Sequence, residues 1–327
     1  MASGISRQGL AILALAPIIL TLRRLYLRSL TRRTFKVLKN EERVLILGAS
    51  SGIGESAAKQ YAERGACVCV VGRRADKVAA VTEECRALSR TESPSRILGV
   101  VADFANAEDM VKLRETLQKE WQGVDTLIVT AGVSALQPLM AVAGVEANPG
   151  GTSFKPSQAS IDGIKRAMDI SAAAIRGNYT GPLVAAVTFI PLLMSSSPSP
   201  SILLVSSLGA VIPPPTRTLY ASTKAASLVL YQALSIEHPS ITFTCVLPST
   251  VEGDFRASAV DAGRVREADP NKSGLRRVDV ARRCIEAVDA GERTVFMPST
   301  MRVGHWLYWL WPAFVEWRAR VKYNFGV

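Results

Sequence analysis

Seven short runs rich in Val, Ile and Leu recur between residues 43 and 298, separated by stretches of helical length. They are "RVLILG" (43–48), "CVCVVG" (67–72), "RILGVVAD" (96–103), "VDTLIVT" (124–130), "SILLVS" (201–206), "ITFTCVL" (241–247) and "RTVFMP" (293–298). They lack the alternation of apolar and polar residues that a strand with one wet face shows. Continuous apolar strands alternating with helices predict a parallel sheet covered on both faces, an α/β doubly wound, Rossmann-like fold. The spacing fills residues 43–300 with a single domain, and a hydrophobic content of 48% suffices for its core.

The two ends carry the charge. Of a formal net +11, residues 1–43 hold nine Lys/Arg against two Glu and residues 301–327 four against one, leaving the long middle close to neutral. A nucleic-acid binder would place its basic residues on the folded body, so no nucleic-acid partner is expected. Basic residues beside apolar ends fit a membrane surface with anionic lipid. With two histidines and no CxxC pair among five cysteines, no metal site is expected either; Cys67 and Cys69 belong in the core, and the body faces a reducing compartment.

Residues 9–22, "GLAILALAPIILTL", are uncharged and are followed by "RRLYLRSLTRR". As a helix they rise roughly 20 Å, short of the ~30 Å hydrocarbon core, unless Arg23 and Arg24 snorkel and Leu25 to Leu27 extend the span. The basic cluster follows the apolar run, as in an uncleaved anchor, and by the positive-inside rule it keeps the domain in the cytosol. A cleaved signal peptide and a buried helix are the alternatives. Residues 1–42 are thus expected to be an anchor with a basic flank, on the endoplasmic reticulum. Residues 301–327, "MRVGHWLYWLWPAFVEWRARVKYNFGV", hold four of the five tryptophans and suit either the headgroup region or a helix closing a pocket. The stretch 137–166, with Asn-Pro-Gly-Gly inside it, is a surface insertion or a lid.

"GASSGIG" (48–54) lies between the first strand and a helix. Gly48, Gly52 and Gly54 permit a sharp turn and a close backbone approach, and Ser50, Ser51 and Ile53 lie between them at the helix start. Unpaired helix N–H groups there suit a pyrophosphate. The spacing is GxxxGxG, not GxGxxG. After the second strand comes "VVGRR", with Arg73 and Arg74 and no acid before Asp76. An acid there would hold a ribose 2′-hydroxyl, whereas arginine accommodates a 2′-phosphate, so the expected cofactor is NADP(H).

"YASTK" puts Tyr220 and Lys224 one helical turn apart, and Ser206 and Ser207 end the fifth strand. Ligands bind at the carboxyl ends of strands in such sheets, so the cradle, Ser207 and the Tyr/Lys helix should face one crevice. With these residues together the chain resembles the classical short-chain dehydrogenase/reductase family over residues 43 to 298. The resemblance implies a catalytic tetrad of Ser207, Tyr220, Lys224 and Asn178 (in "NYTG"), with Asp103 (in "ADF") at the adenine. It implies reversible hydride transfer between NADP(H) and an alcohol or ketone, and a homodimer or homotetramer. A tyrosine titrates near ~10 when free, and an ammonium one turn on favours the phenolate. Tyr220 then exchanges a proton with the substrate oxygen, Ser207 hydrogen-bonds that oxygen, Lys224 reaches the ribose, and Asn178 holds a water that passes protons to Lys224.

The chain departs from the family pattern at three places. "VTAG" (129–132) stands for "NNAG", so Thr130 replaces an asparagine while Ala131 and Gly132 keep the close backbone approach. Pro248-Ser249 stands for Pro-Gly. Gly253 sits where a threonine is usual, with Thr250 as its substitute. Asn178-Tyr179-Thr180 and Asn271-Lys272-Ser273 match glycosylation sequons by chance in a cytosolic domain. Residues 251–275 should form a charged, flexible substrate lid. The expected substrate is a lipophilic ketone or alcohol taken from membrane lipid: a long-chain keto-lipid, a sterol, or a terpenoid or polyketide intermediate. A noncatalytic NADP(H)-binding membrane scaffold is the alternative.

Overall fold

The computed structural model describes residues 33–89, 93–146, 154, 155, 157–257, 259–263 and 269–326. The apolar run 9–22 and its basic flank lie outside the described residues. All seven expected strands form: β1 (Arg43–Leu47), β2 (Cys67–Gly72), β3 (Ile97–Val101), β4 (Thr126–Val129), β5 (Ser201–Val205), β6 (Thr242–Pro248) and β7 (Thr294–Met297). They make one parallel sheet in the order β3-β2-β1-β4-β5-β6-β7. The order reverses between β1 and β4, which opens a crevice at their carboxyl ends.

The long helices are α1 (Gly52–Glu63), α2 (Ala75–Leu88), α3 (Ala107–Trp121), α4 (Ile161–Ile175), α5 (Gly181–Ser196), α6 (Thr218–Glu237), α7 (Arg277–Ala290), α8 (Met301–Leu310) and α9 (Pro312–Tyr323). Two apolar layers sandwich the sheet. Leu45, Leu47, Leu127, Phe189, Leu204 and Tyr231 lie in one, and Val44, Ile46, Tyr61, Val70, Leu203 and Val288 in the other. Alternate residues of each central strand enter opposite layers, which is why those strands read as unbroken apolar runs. β3 is different. As an edge strand it is less covered: only Ile97 is buried, and Leu98 to Val101 are half-buried or exposed.

The body begins before β1. Arg33 and Glu42 are both buried, and Arg33 Nη1 donates to Glu42 Oε1 at 2.6 Å. Glu42 also accepts from Arg64 and from the Thr126 hydroxyl, so a buried charge is fully partnered under the sheet. All five cysteines are buried and free. Among the described residues one helical stretch, Ile161–Ser196, is long and apolar enough to cross a membrane, with a mean hydropathy of 1.4. Half of that window is buried inside the fold, Phe189 and Leu193 belonging to a core layer.

Candidate active site

The glycine turn brings its backbone close against the loop after β4. Gly48 has φ +93° and lies against β4, where a Cβ would come 2.5 Å from the Ala131 nitrogen. Gly54 is as tightly enclosed, since a Cβ there would meet the Gly48 carbonyl oxygen at 2.4 Å and Thr130 Oγ1 at 2.5 Å. Thr130 is therefore part of the turn's support: its hydroxyl donates to the Leu47 carbonyl at 2.9 Å. Gly52, at φ +61°, has open space where a Cβ would be. Ser51 is the N-cap of α1 but its side chain caps no amide. Its hydroxyl instead accepts from Arg74 Nη2 at 3.1 Å, which places a guanidinium over the cradle with the buried Ser50 beneath. Arg73 is exposed beside it. A backbone cup with room at Gly52, helix amides behind and a cation at the rim fits a polyanionic ligand.

Asp103 follows β3, at the same edge of the sheet. Its carboxylate accepts from the Ala105 amide at 3.1 Å and pairs with Arg176 at 2.7 Å. Partial burial opposes ionisation there, but the amide and the guanidinium outweigh it and hold the carboxyl below its usual range.

Asn178 stands in a π-helical turn, Arg176–Thr180, inserted between α4 and α5. Such wide turns re-aim a side chain within a helix. Asn178 is fully buried. Its Oδ1 accepts from the Val133 amide at 2.9 Å, and its Nδ2 donates to the Val133 carbonyl and to Thr223 Oγ1, each at 3.0 Å. Both amide hydrogens are thus committed, and the side chain clamps the loop after β4 to α6. The depth of Asn178 also disposes of its sequon, which no glycosyl group can reach in this fold.

Lys224 is buried on α6 and donates to the Val205 carbonyl at 3.0 Å. Burial pushes its ammonium down from 10.5 to about 8. Gly132 joins the two residues. A Cβ there would come 2.9 Å from Asn178 Oδ1 and 3.1 Å from Lys224 Nζ, so only glycine leaves both polar groups at the crevice floor. Ser207 Oγ, just beyond β5, accepts from the Gly209 amide at 3.1 Å, and Ser206 packs inward with its hydroxyl on the Lys224 carbonyl. Tyr220 lies in the first turn of α6 and is buried. Arg217 lies over its ring at 4.5 Å and Phe255 meets it edge-on at 6.1 Å.

Several of these contacts had no signal in the sequence. Arg217 is buried and donates to Ser134 Oγ at 2.9 Å, and Thr223 ties Asn178 to α6. Asp261, also buried, accepts from the amides of Leu136 and Gln137 at 2.7 and 2.8 Å. The described part of the charged 251–275 segment is latched to the loop after β4 through Asp261, and Phe255 turns an aromatic ring toward Tyr220. Thr250, after Pro248, accepts from Arg256 Nη2 at 3.3 Å, so its hydroxyl is engaged within that segment.

Known proteins resemble this chain in sequence and in fold. A family model described as short chain dehydrogenase matches residues 42–263. The chain is 30% identical over 289 residues to an 11-beta-hydroxysteroid dehydrogenase A of Sesamum indicum, covering 86% of this chain and 75% of that protein. It is 32% identical over 213 residues to an 11-beta-hydroxysteroid dehydrogenase-like 3 of Arabidopsis thaliana, covering 65% and 60%. Among solved structures, a short-chain dehydrogenase/reductase from Burkholderia phymatum in complex with NAD superposes with a TM-score of 0.68 at 16% identity, over 84% of this chain and 95% of that one. An alcohol dehydrogenase from Thermococcus sibiricus complexed with 5-hydroxy-NADP gives 0.60 at 21%, over 78% and 94%. These two likenesses carry the fold; the family model and the sesame relative carry the kinship. The chain belongs to the short-chain dehydrogenase/reductase family of oxidoreductases.

Proposed function

We propose that the protein is an NADPH-dependent reductase that converts a ketone of a lipophilic substrate to the secondary alcohol, or runs the reverse. The observation that carries this reading is the convergence on Gly132, where the buried Lys224 ammonium and Asn178 amide flank one glycine at the sheet's carboxyl edge. Ser207 lies just beyond β5, and Tyr220 lies in the first turn of α6, one turn before Lys224.

Gly48, Ser50, Ser51, Gly52, Ile53 and Gly54 would hold the pyrophosphate, and Arg73 and Arg74 the 2′-phosphate. Asp103, Ala131, Gly132, Pro248 and Thr250 would border the rest of the cofactor. When bound, the reduced nicotinamide supplies the hydride. The Tyr220 hydroxyl donates its proton to the ketone oxygen, completing the alcohol, and Ser207 donates a hydrogen bond to that oxygen as its charge develops. Lys224, whose ammonium burial lowers to about 8 and which stays mostly protonated at neutral pH, would return a proton toward Tyr220 and take one in turn from solvent. Asn178 acts by fixing α6 against the loop after β4.

The lipophilic substrate class is supported by the names of the plant relatives and by Phe255 against Tyr220. A sterol, a long-chain keto-lipid, and a terpenoid or polyketide intermediate all fit. We further propose that the apolar run of residues 9–22, within the expected anchor and basic flank of residues 1–42, attaches the chain to a membrane, the endoplasmic reticulum being our choice, with the domain of residues 43–300 in the cytosol. Exposed Ile161, Ile164, Met168 and Val187 on α4 and α5, with Val229 and Ile236 on α6, support a homo-oligomer built on these neighbouring helices. Val187→Glu should then halve the mass measured by light scattering after gel filtration, and an unchanged mass would remove this face from the interface.

The test of function is NADPH oxidation by the detergent-solubilised protein against lipid, sterol and terpenoid ketones, with products identified by mass spectrometry. One ketone reduced to its alcohol would name the class. Cofactor binding with no reduction of any ketone, and no oxidation of the matching alcohols with NADP⁺, would leave the scaffold reading in its place.

A further inference from the structure

Helices α8 and α9 carry an extended apolar surface that the described fold leaves uncovered. Trp306, Trp309 and Leu310 on α8 are 68%, 75% and 81% exposed, and Trp311, Phe314 and Trp317 follow at the junction and on α9. Single exposed apolar residues are ordinary, but six large ones on two consecutive helices are not. They are also ordered among themselves. Trp311 stacks on Phe314 at 5.0 Å, and Phe314 meets Trp317 at 6.0 Å, so the rings form a plate.

The plate is held to the domain from one side at its start and from another at its end. His305 stacks on Phe296 of β7 at 5.8 Å, and Gly304 lies against Ile212, five residues beyond Ser207. Phe325, after α9, meets Phe154 of the 137–166 insertion at 6.5 Å. The plate therefore sits at the carboxyl edge of the sheet, beside the crevice mouth.

Arg302, Arg318, Arg320 and Lys322 accompany the aromatic residues, against Glu316 alone among the acids of residues 301–327. This charge selects the occupant. Pairing two copies through this face would bring like-charged rims together, which opposes association. A bilayer offers the opposite sign at its headgroups and an apolar layer just beneath, and tryptophan favours that boundary.

We propose that α8 and α9 dock on the face of a lipid bilayer, with the tryptophans at headgroup depth and the basic residues on anionic lipid. The docking is independent of the N-terminal apolar segment and of the catalytic reading. It would turn the crevice mouth toward the membrane.

The full chain allows a clean test, because the fifth tryptophan, Trp121, is buried in a core layer on α3. The protein is mixed with vesicles of phosphatidylcholine brominated on its acyl chains, with phosphatidylserine as the minor lipid, and tryptophan emission is recorded. Emission should fall by about half relative to unbrominated vesicles, since interfacial tryptophans lie within reach of the bromines. Trp309→Ser with Trp311→Ser should lose most of that quenching while the protein still sediments with vesicles through its N-terminal segment. Sedimentation with unquenched emission in the parent protein would overturn the proposal. So would emission that stays unquenched while Trp309→Ser with Trp311→Ser converts a dimer to a monomer, which would give the face to a second copy.

Discussion

The guanidinium of Arg217 lies 4.5 Å above the ring of Tyr220, three residues on, and is buried where it does so. Its Nη2 reaches Ser134 on the loop after β4, so one side chain fixes both the phenol and the crevice wall. A buried cation over an aromatic face contributes on the order of 1–2 kcal/mol. We expect Arg217→Met to lower kcat roughly tenfold, the rate equivalent of that energy, with little change in KM for NADPH. Steady-state kinetics with cofactor and ketone varied separately check this. Unchanged kcat would reduce Arg217 to a packing role. Lysine should not rescue, because it lacks the planar fork that reaches Ser134 while lying over the ring.

Lys224 has a consequence for stability. Its ammonium titrates at about 8 in the fold and at its ordinary 10.5 in the unfolded chain. Between these values the unfolded state binds more protons, so the apoprotein should gain stability as pH rises from 8 toward 10.5. Below 8 the penalty is fully present, and a gap of this size corresponds to roughly 3 kcal/mol. Lys224→Met should therefore raise Tm at pH 7 and flatten its rise above pH 8, while abolishing turnover. Thermal scans of both proteins across this range decide it. A lower Tm for the variant at pH 7 would mean that the bond to Val205 outweighs the cost of burying the charge.

Arg73 and Arg74 make separable predictions about the cofactor. Arg74 is the one already over the cradle, bonded to Ser51, whereas Arg73 stands free of the cradle and exposed beside it. A charge-assisted bond contributes about 1.5–3 kcal/mol, so Arg74→Ala and Arg73→Asp should each weaken NADPH by about ten- to a hundredfold and leave NADH nearly unchanged. Cofactor titration by fluorescence measures both ratios. If neither ratio moves, the 2′-phosphate is held elsewhere or the cofactor is NADH.

Much of this protein could be read from the chain because its signals are local. β1, β2, β4, β5 and β6 are paired on both sides, so their apolar runs announce them; β3 reads as the same kind of run although it lies at the sheet edge and is mostly half-buried or exposed. "GASSGIG" and "YASTK" each keep their whole meaning within seven residues or fewer. The supporting contacts do not. Arg217 finds Ser134 across 83 positions, Asp261 finds Leu136 across 125, and Asn178 finds Val133 across 45. A buried arginine or aspartate looks, in sequence, like any surface charge. The π-helical turn at Arg176–Thr180 is equally silent, since no residue type marks a hydrogen bond that skips one place.

The central claim is that Tyr220 is the proton donor at a site that binds NADPH. The most direct measurement compares the parent protein with Tyr220→Phe on the best ketone of the panel, following NADPH absorbance for turnover and NADPH fluorescence for binding. Removing a positioned general acid costs about a hundredfold or more in rate. The variant should therefore bind NADPH with nearly parental affinity and reduce the ketone at least about a hundredfold more slowly. Parental turnover by the phenylalanine variant would contradict the account.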